Sequence, residues 1–268
     1  MNSQLENQHV LITGTNSGIG FGLMQHYAAQ GWRVTAVNRR KDESLEKKFP
    51  KVNFQYFDVR DMDSIRTYFK EAATTNRLPS IYILSAGINK VDNLDGFSID
   101  VYQEVMDINL MGVMNFVSEA LRYRKNRATT FVAASSTSNL FANPNCLGYF
   151  VSKLALYRSF QMFNRAYRKD GMRFKSVVLG PVATGIFVSG KLASKLQSTV
   201  RDVITVSVDQ AVPPIVRFIH SNRETLYYPK SAVLLMFALR IANMILPGFY
   251  KGSAPSSSSR QTLESVVI

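Results

Sequence analysis

Tyr149 and Lys153 stand four positions apart in the run YFVSK, residues 149–153. On a helix such a pair shares one face, one side chain above the other. An ammonium group beside a phenol favours the phenolate, and is expected to pull the phenol below its ordinary pKa of about 10. A phenol adjusted in this way gives or takes a proton near neutral pH, as a general acid–base catalyst must. None of the other Tyr residues has a Lys at that spacing. The opposing reading is a surface Tyr and Lys with no shared task. What decides between them is whether the rest of the chain builds a site around the pair.

A second group of residues offers chemistry through the backbone. TGTNSGIG, residues 13–20, carries Gly14, Gly18 and Gly20 between an apolar run and a helical one. At a strand-to-helix turn, missing side chains let the backbone approach a pyrophosphate, and the helix N-terminus faces its negative charge. A glycine-rich turn that serves packing alone is the alternative.

The elements that must position these residues follow from periodicity. HVLIT (9–13) reads as a strand, GIGFGLMQHYAAQ as a helix ending at Gly31, and WRVTAV as a second strand. The alternation continues with strands at 52–57, 81–87, 129–134 and 173–179. Helices are expected over MDSIRTYFKEAA, from Ile99 to about Tyr123, and over 147–168. Six strands alternating with helices predict a single-domain, Rossmann-type, doubly wound parallel α/β sheet with helices on both faces. Further on, DQAVPPIVRFIH reads as a helix despite its paired prolines, and TLYYP as a short edge strand. The expected organisation is one domain over 1–250, with a flap at 184–208 and an apolar C-terminal helix at 231–249. A Ser-rich disordered tail is expected at 251–268.

Composition bounds the partners. The 268 residues are 46% hydrophobic and 19% charged, an ordinary globular balance. One cysteine, Cys146, excludes an intramolecular disulfide and suits a reducing compartment. The N-terminal stretch has no secretory pattern, so a cytoplasmic location is expected. The net charge of +13 asks for an anionic partner. The basic residues are scattered and carry no nucleic-acid motif, so a phosphate-rich cofactor or an anionic membrane surface is preferred to nucleic acid. The segment 231–249 is too short and too charged at Arg240 to span a bilayer, and reads as a buried helix or a peripheral membrane contact. The three histidines lack metal-ligand spacing, so no metal is expected.

The Gly-xxx-Gly-x-Gly spacing together with Tyr149 and Lys153 resembles the short-chain dehydrogenases/reductases, from about His9 to Thr184. The resemblance implies a Rossmann domain that moves a hydride between a nicotinamide cofactor and an alcohol or carbonyl. It assigns the cofactor's phosphates to Gly14, Asn16, Ser17, Gly18, Ile19 and Gly20. After the second strand stand Asn38, Arg39 and Arg40, where an acid would bind a ribose 2′-hydroxyl and an arginine a 2′-phosphate. NADP(H) is therefore expected, with Arg39 ahead of Arg40. The resemblance places the adenine at Asp58 and Val59, and further cofactor contacts at Ser85, Ala86 and Gly87. The family's Asn-Asn-Ala-Gly reads Leu84-Ser85-Ala86-Gly87 here.

Ser136, thirteen positions before Tyr149, matches the family's substrate-binding serine, with Ser135 and Ser138 as chemical rivals. Asn109 matches the asparagine implied to hold a water linking Lys153 to solvent. Gly180, Val182 and Thr184 match the loop beside the nicotinamide, with Leu179 in place of the usual proline. The implied mechanism has Ser136 and Tyr149 polarise a carbonyl, Tyr149 give the proton, and Lys153 tune Tyr149 and hold the ribose. An apolar substrate is expected, lipid-, steroid- or retinoid-like or aromatic, with Ile186, Phe187, Val188 and Leu192 of the flap against it. The family also implies a homo-oligomer, a dimer or tetramer. The contrasting expectation is a catalytically silent protein that senses NADP(H).

Overall fold

Short β-branched runs separated by amphipathic helices leave the chain one economical packing, strands side by side with helices returning over either face. The computed structural model describes residues 8–90, 97–123, 127–137, 146–183, 205–231, 234 and 266–267. Its first half runs β1 (His9–Thr13), α1 (Gly18–Ala29), β2 (Arg33–Asn38), α2 (Glu43–Lys48), β3 (Asn53–Tyr56), α3 (Met62–Thr74) and β4 (Ile81–Leu84). A short β5 (Ile88–Asn89), α4 (Ile99–Met106), a π-helical turn (Asp107–Met111) and α5 (Gly112–Arg122) follow. Then come β6 (Thr129–Ser136), α6 (Leu147–Tyr167), β7 (Met172–Leu179), α7 (Val208–Ile219), β8 (Thr225–Tyr228) and β9 (Val266–Val267).

Seven strands pair in the order β3-β2-β1-β4-β6-β7-β8, every pairing parallel. The expected doubly wound α/β sheet is the observed one. One apolar layer joins the sheet to α1 and α7 through Ile19, Leu23, Met24, Ile215 and Phe218. The other joins it to α3, α5 and α6 through Ile65, Phe69, Phe116, Leu156 and Phe160. The chain winds outward from β1 to β3, then crosses back to lay β4 on the other side of β1. That reversal opens a crevice at the carboxyl ends of β1 and β4, where α/β sheets bind ligands. The glycine loop, Arg39, Asp58 and Ser85 follow strands at this one edge, and Ser136 ends one there.

Three local readings differ from the structure, and the helix expected despite its paired prolines is present. α2 was not expected from periodicity, because six residues carry too little of it; its start is made by Asp42, which accepts from Ser44 N and Leu45 N. The long helix from Ile99 is interrupted by the π-turn at 107–111, which contains Asn109. The paired prolines do sit within α7. Pro214 lacks the N–H that the carbonyl of Gln210 would receive, and the Tyr228 hydroxyl donates to that carbonyl instead at 3.0 Å. The tail expected to be disordered has strand structure at Val266–Val267, which pairs antiparallel with β5. Adjacent valines suit an open strand edge.

Of the proposed flap, 184–204 lies outside the described residues, as do Thr184, Ser138 and all of 231–249 except 231 and 234. Among the described residues no helix is long and apolar enough to cross a membrane, and no group of three or more His, Cys, Asp or Glu could hold a metal ion.

Candidate active site

The glycine loop is shaped by backbone conformations that favour glycine. Gly14 and Gly18 have φ of 73° and 62°. Gly20 is held by contact: a Cβ there would lie 2.2 Å from the Gly14 carbonyl oxygen and 2.7 Å from Ser85 Oγ. Ser17 stands before α1 in an extended conformation with no side-chain cap, and the first turn contains no acid. Ile19 is buried beneath the loop in the α1 layer. Asn16 donates from Nδ2 to the Arg40 carbonyl at 3.1 Å, tying the loop to the end of β2.

Asn38 is buried and serves the loop itself. Its Oδ1 accepts from Thr15 N at 2.7 Å, and its Nδ2 donates to Thr15 Oγ1 at 2.8 Å. It braces the glycine turn through Thr15. Arg39 and Arg40 are exposed beside it, and no described residue forms an ion pair with either. Asp58 is gripped by Arg60, whose Nε and Nη2 donate to its two oxygens at 3.0 and 2.8 Å. Burial works against that carboxylate's charge, but Arg60 and, more weakly, Arg39 hold its pKa below the usual value. Val59 lines a narrow apolar pocket with Ala86, Ile108, Val113 and Phe116. Ser85 Oγ donates to the Thr13 carbonyl, and Ala86 N donates to Thr13 Oγ1 at 3.0 Å. The serine found where the family has asparagine thus locks β4 to β1 directly. Gly87, after Ala86, is buried.

On the far side of the crevice the structure brings Ser136, Tyr149, Lys153 and Asn109 together. Ser136 ends β6, with its hydroxyl beside Tyr149, where it draws the phenol's pKa down. Tyr149 and Lys153 lie on the inner face of α6, both buried, with the Lys153 Nζ 5.7 Å from the centre of the tyrosine ring. Nζ donates to the Ala134 carbonyl at 2.8 Å, which anchors α6 to β6. Ser135 Oγ is committed to the Lys153 carbonyl at 3.1 Å, so of the two described serines only Ser136 faces the phenol.

The expected electrostatic effect of the pair is reversed. Burial pushes the Tyr149 phenol up to about 12, against a downward pull from the Ser136 hydrogen bond. Burial also brings the Lys153 ammonium down to about 8. A low dielectric disfavours both charges, and burial is the largest influence on each group.

The Asn109 side chain is held by the protein itself. Its Oδ1 accepts from Ile88 N at 2.8 Å, and its Nδ2 donates to the Ile88 carbonyl at 2.9 Å and to Ser152 Oγ at 3.1 Å. Both amide hydrogens are spent on protein, so the side chain acts as a clamp between β5 and α6. Ser152 Oγ passes the link on to the Tyr149 carbonyl at 2.8 Å. The π-turn is what aims Asn109 across the helices, as such bulges do at functional sites.

After β7, Gly180 N donates to the Tyr228 carbonyl at 2.8 Å, and Val182 pairs with Val206. These hold the loop that leads toward Thr184. Sequence reasoning missed Thr13, Thr15 and Ser152. Each acts through tertiary partners at least 20 residues away or through a side chain already engaged, so no local pattern marks them.

The short chain dehydrogenase family model matches residues 8–194. Glucose 1-dehydrogenase of Gluconobacter oxydans is 27% identical over 190 residues, 67% of this chain and 71% of that protein. A 3alpha-hydroxysteroid dehydrogenase of Mediterraneibacter gnavus is 22% identical over 189 residues, 67% of this chain and 76% of that protein. The solved structure of 4-hydroxyisoleucine dehydrogenase complexed with NADH superposes with a TM-score of 0.73 at 20% identity, covering 82% of this chain and 96% of that one.

Proposed function

The chain belongs to the short-chain dehydrogenase family, and from that premise we propose that it is an NADP(H)-dependent oxidoreductase that reduces an apolar carbonyl compound. The observation that carries this reading is the buried Tyr149–Lys153 pair on α6, the lysine Nζ 5.7 Å from the centre of the phenol ring, with Ser136 beside it at the same end of the sheet as the glycine loop.

The residues present fit a nicotinamide cofactor. The α1 N-terminus offers backbone donors with no competing acid, which suits a pyrophosphate. Gly14, Asn16, Ser17, Gly18, Ile19 and Gly20 would form that cradle, with Asn38 holding it in shape. Arg39 and Arg40 are planar, exposed and without an ion pair among the described residues, which suits a 2′-phosphate. A relative of the same fold holds NADH, so the preference for NADP(H) rests on these two arginines. Asp58 and Val59, which follow β3 at the same end of the sheet, would border the adenine. Ser85 and Gly87, and beyond them Gly180, Val182 and Thr184, would border the rest of the cofactor. When bound, the nicotinamide supplies or accepts the hydride.

The protein's own groups would handle the oxygen and the proton. Ser136 Oγ and Tyr149 Oη together would hold the substrate oxygen, the serine leaving the phenol as proton donor. A phenol near 12 is fully protonated at neutral pH, the state needed for carbonyl reduction. Lys153, still mostly an ammonium at pH 7, offers Nζ donors beyond the one given to Ala134 and would steady the phenolate and a ribose hydroxyl. Ile88, Val105, Ile108, Cys146 and Phe150 pack around Tyr149, an environment that favours an apolar substrate. A hydroxysteroid dehydrogenase among the relatives is consistent with that class.

The test is oxidation of NADPH and of NADH over a panel of ketones and aldehydes graded by chain length and ring size. NADPH is expected to turn over faster than NADH. Tyr149→Phe is expected to lower kcat by about 10²–10⁴-fold with NADPH binding unchanged. Turnover retained by the variant would sink the catalytic assignment. NADPH binding without turnover of any carbonyl would favour the sensing alternative.

A further inference from the structure

β5 is only two residues long, and both of its edges are occupied. On one edge, Ile88 gives its N–H to Asn109 Oδ1 and its carbonyl to Asn109 Nδ2. Along an extended strand the polar groups of successive residues face opposite edges. Ile88 therefore spends its hydrogen bonds on Asn109, and Asn89 turns its own toward the other edge. There the antiparallel partner is β9, with Asn89 opposite Val266 and Ile88 opposite Val267. So short a pair has little stability of its own. Yet it follows directly on Ser85, Ala86 and Gly87, and through Asn109 and Ser152 it is linked to the backbone of Tyr149.

Resting on the oxidoreductase reading above, we propose that β9 is a positioning element of the active site. By pairing with Asn89, the segment Val266–Val267 braces the outer edge of β5, so that Asn109 can grip the inner edge. The same grip holds Ser152, and with it the turn of α6 that presents Tyr149. The fold brings a segment about 40 residues beyond β8 back to the crevice, where it completes the support of the catalytic tyrosine. Displacements of the order of 1 Å in a catalytic group cost on the order of 10²-fold in rate, so a partial loss of bracing is expected to show in kcat.

Residue-resolved amide exchange on the full chain and on a variant ending at Ser265 tests this. The expected result is exchange at Asn89 at least tenfold faster in the variant, with Ile88 also accelerated, because the clamp on its N–H loosens. The melting temperature and NADPH affinity are expected to stay unchanged, while kcat falls about tenfold. Val266→Pro, which removes the N–H facing Asn89, should reproduce these effects in a chain of full length, and Val267→Ala should not. Unchanged exchange at Asn89 would overturn the pairing. Faster exchange at Asn89 with Ile88 unaffected would overturn the bracing of Asn109. These readouts need no turnover, so a full chain inactive with every carbonyl would count against the proposed function alone.

Discussion

At the scale of single residues, burial is the largest influence on Tyr149, Lys153 and His9. It raises Tyr149, lowers Lys153, and brings His9 down to about 4, with Arg33 adding a smaller push in the same direction. His9 starts β1, is buried, and shares a 2.9 Å hydrogen bond with Thr35 Oγ1. The unfolded chain takes up a proton at this residue below about pH 6.5, while the folded chain does so only near 4. The unfolded state therefore holds more protons in that window, and stability falls as pH drops through it. The loss attributable to His9 is expected to reach about 3 kcal/mol by pH 4. Denaturant unfolding at pH 7 and near pH 4 should show His9→Gln losing less stability on acidification than the parent by about that amount. Equal losses would show that the proton goes elsewhere.

At the scale of elements, the glycine-bearing helix α1 does two tasks, and the second concerns α7. A Cβ at Gly22 would lie 2.7 Å from Val208 Cγ1 and 2.7 Å from Val212 Cγ2. Helical valines are nearly fixed at χ1, so those methyl groups cannot swing aside. Helix propensity alone favours alanine over glycine by about 1 kcal/mol. Gly22→Ala is nevertheless expected to destabilise the protein by about 1–3 kcal/mol, because the two helices must separate. Val212→Ala removes one of the clashing methyls. A double-mutant cycle should therefore give a favourable coupling of about 1 kcal/mol. Additive losses would mean that the helices shift freely and that the close approach is incidental.

At the scale of the whole molecule, several large apolar side chains are exposed on α6 and the π-turn that packs against it. Leu154 and Met162 recur along the outer face of α6, 41% and 69% exposed, and Met111 at the end of the π-turn is 49% exposed. Exposed apolar side chains gathered into a patch mark contact surfaces in soluble proteins. Self-association through the outer side of α6 is expected, in keeping with the homo-oligomer that the family resemblance implies. Analytical ultracentrifugation should find a dimer or tetramer that Met162→Glu converts toward monomer, with little change in melting temperature. A parent protein that sediments as a monomer at micromolar concentration would rule this out.

The alternation of apolar strands and amphipathic helices, the glycine spacing and the Tyr149–Lys153 pair were legible in the residues alone, because each is a local pattern with a period or a fixed offset. They determined the doubly wound sheet, the family and the edge of the sheet at which the site lies. Tertiary structure alone decided what several of the same side chains do there. Asn38 turned inward to Thr15, Asn109 closed on Ile88 and Ser152, and Asp58 was taken by Arg60. A side chain's hydrogen bonds go to whichever partners the fold brings within about 3 Å, and sequence distance says nothing of them. The sign of the Tyr149 shift was decided in the same way. The four-residue offset placed an ammonium beside the phenol, but only the packing of α6 against β6 removed the water from both.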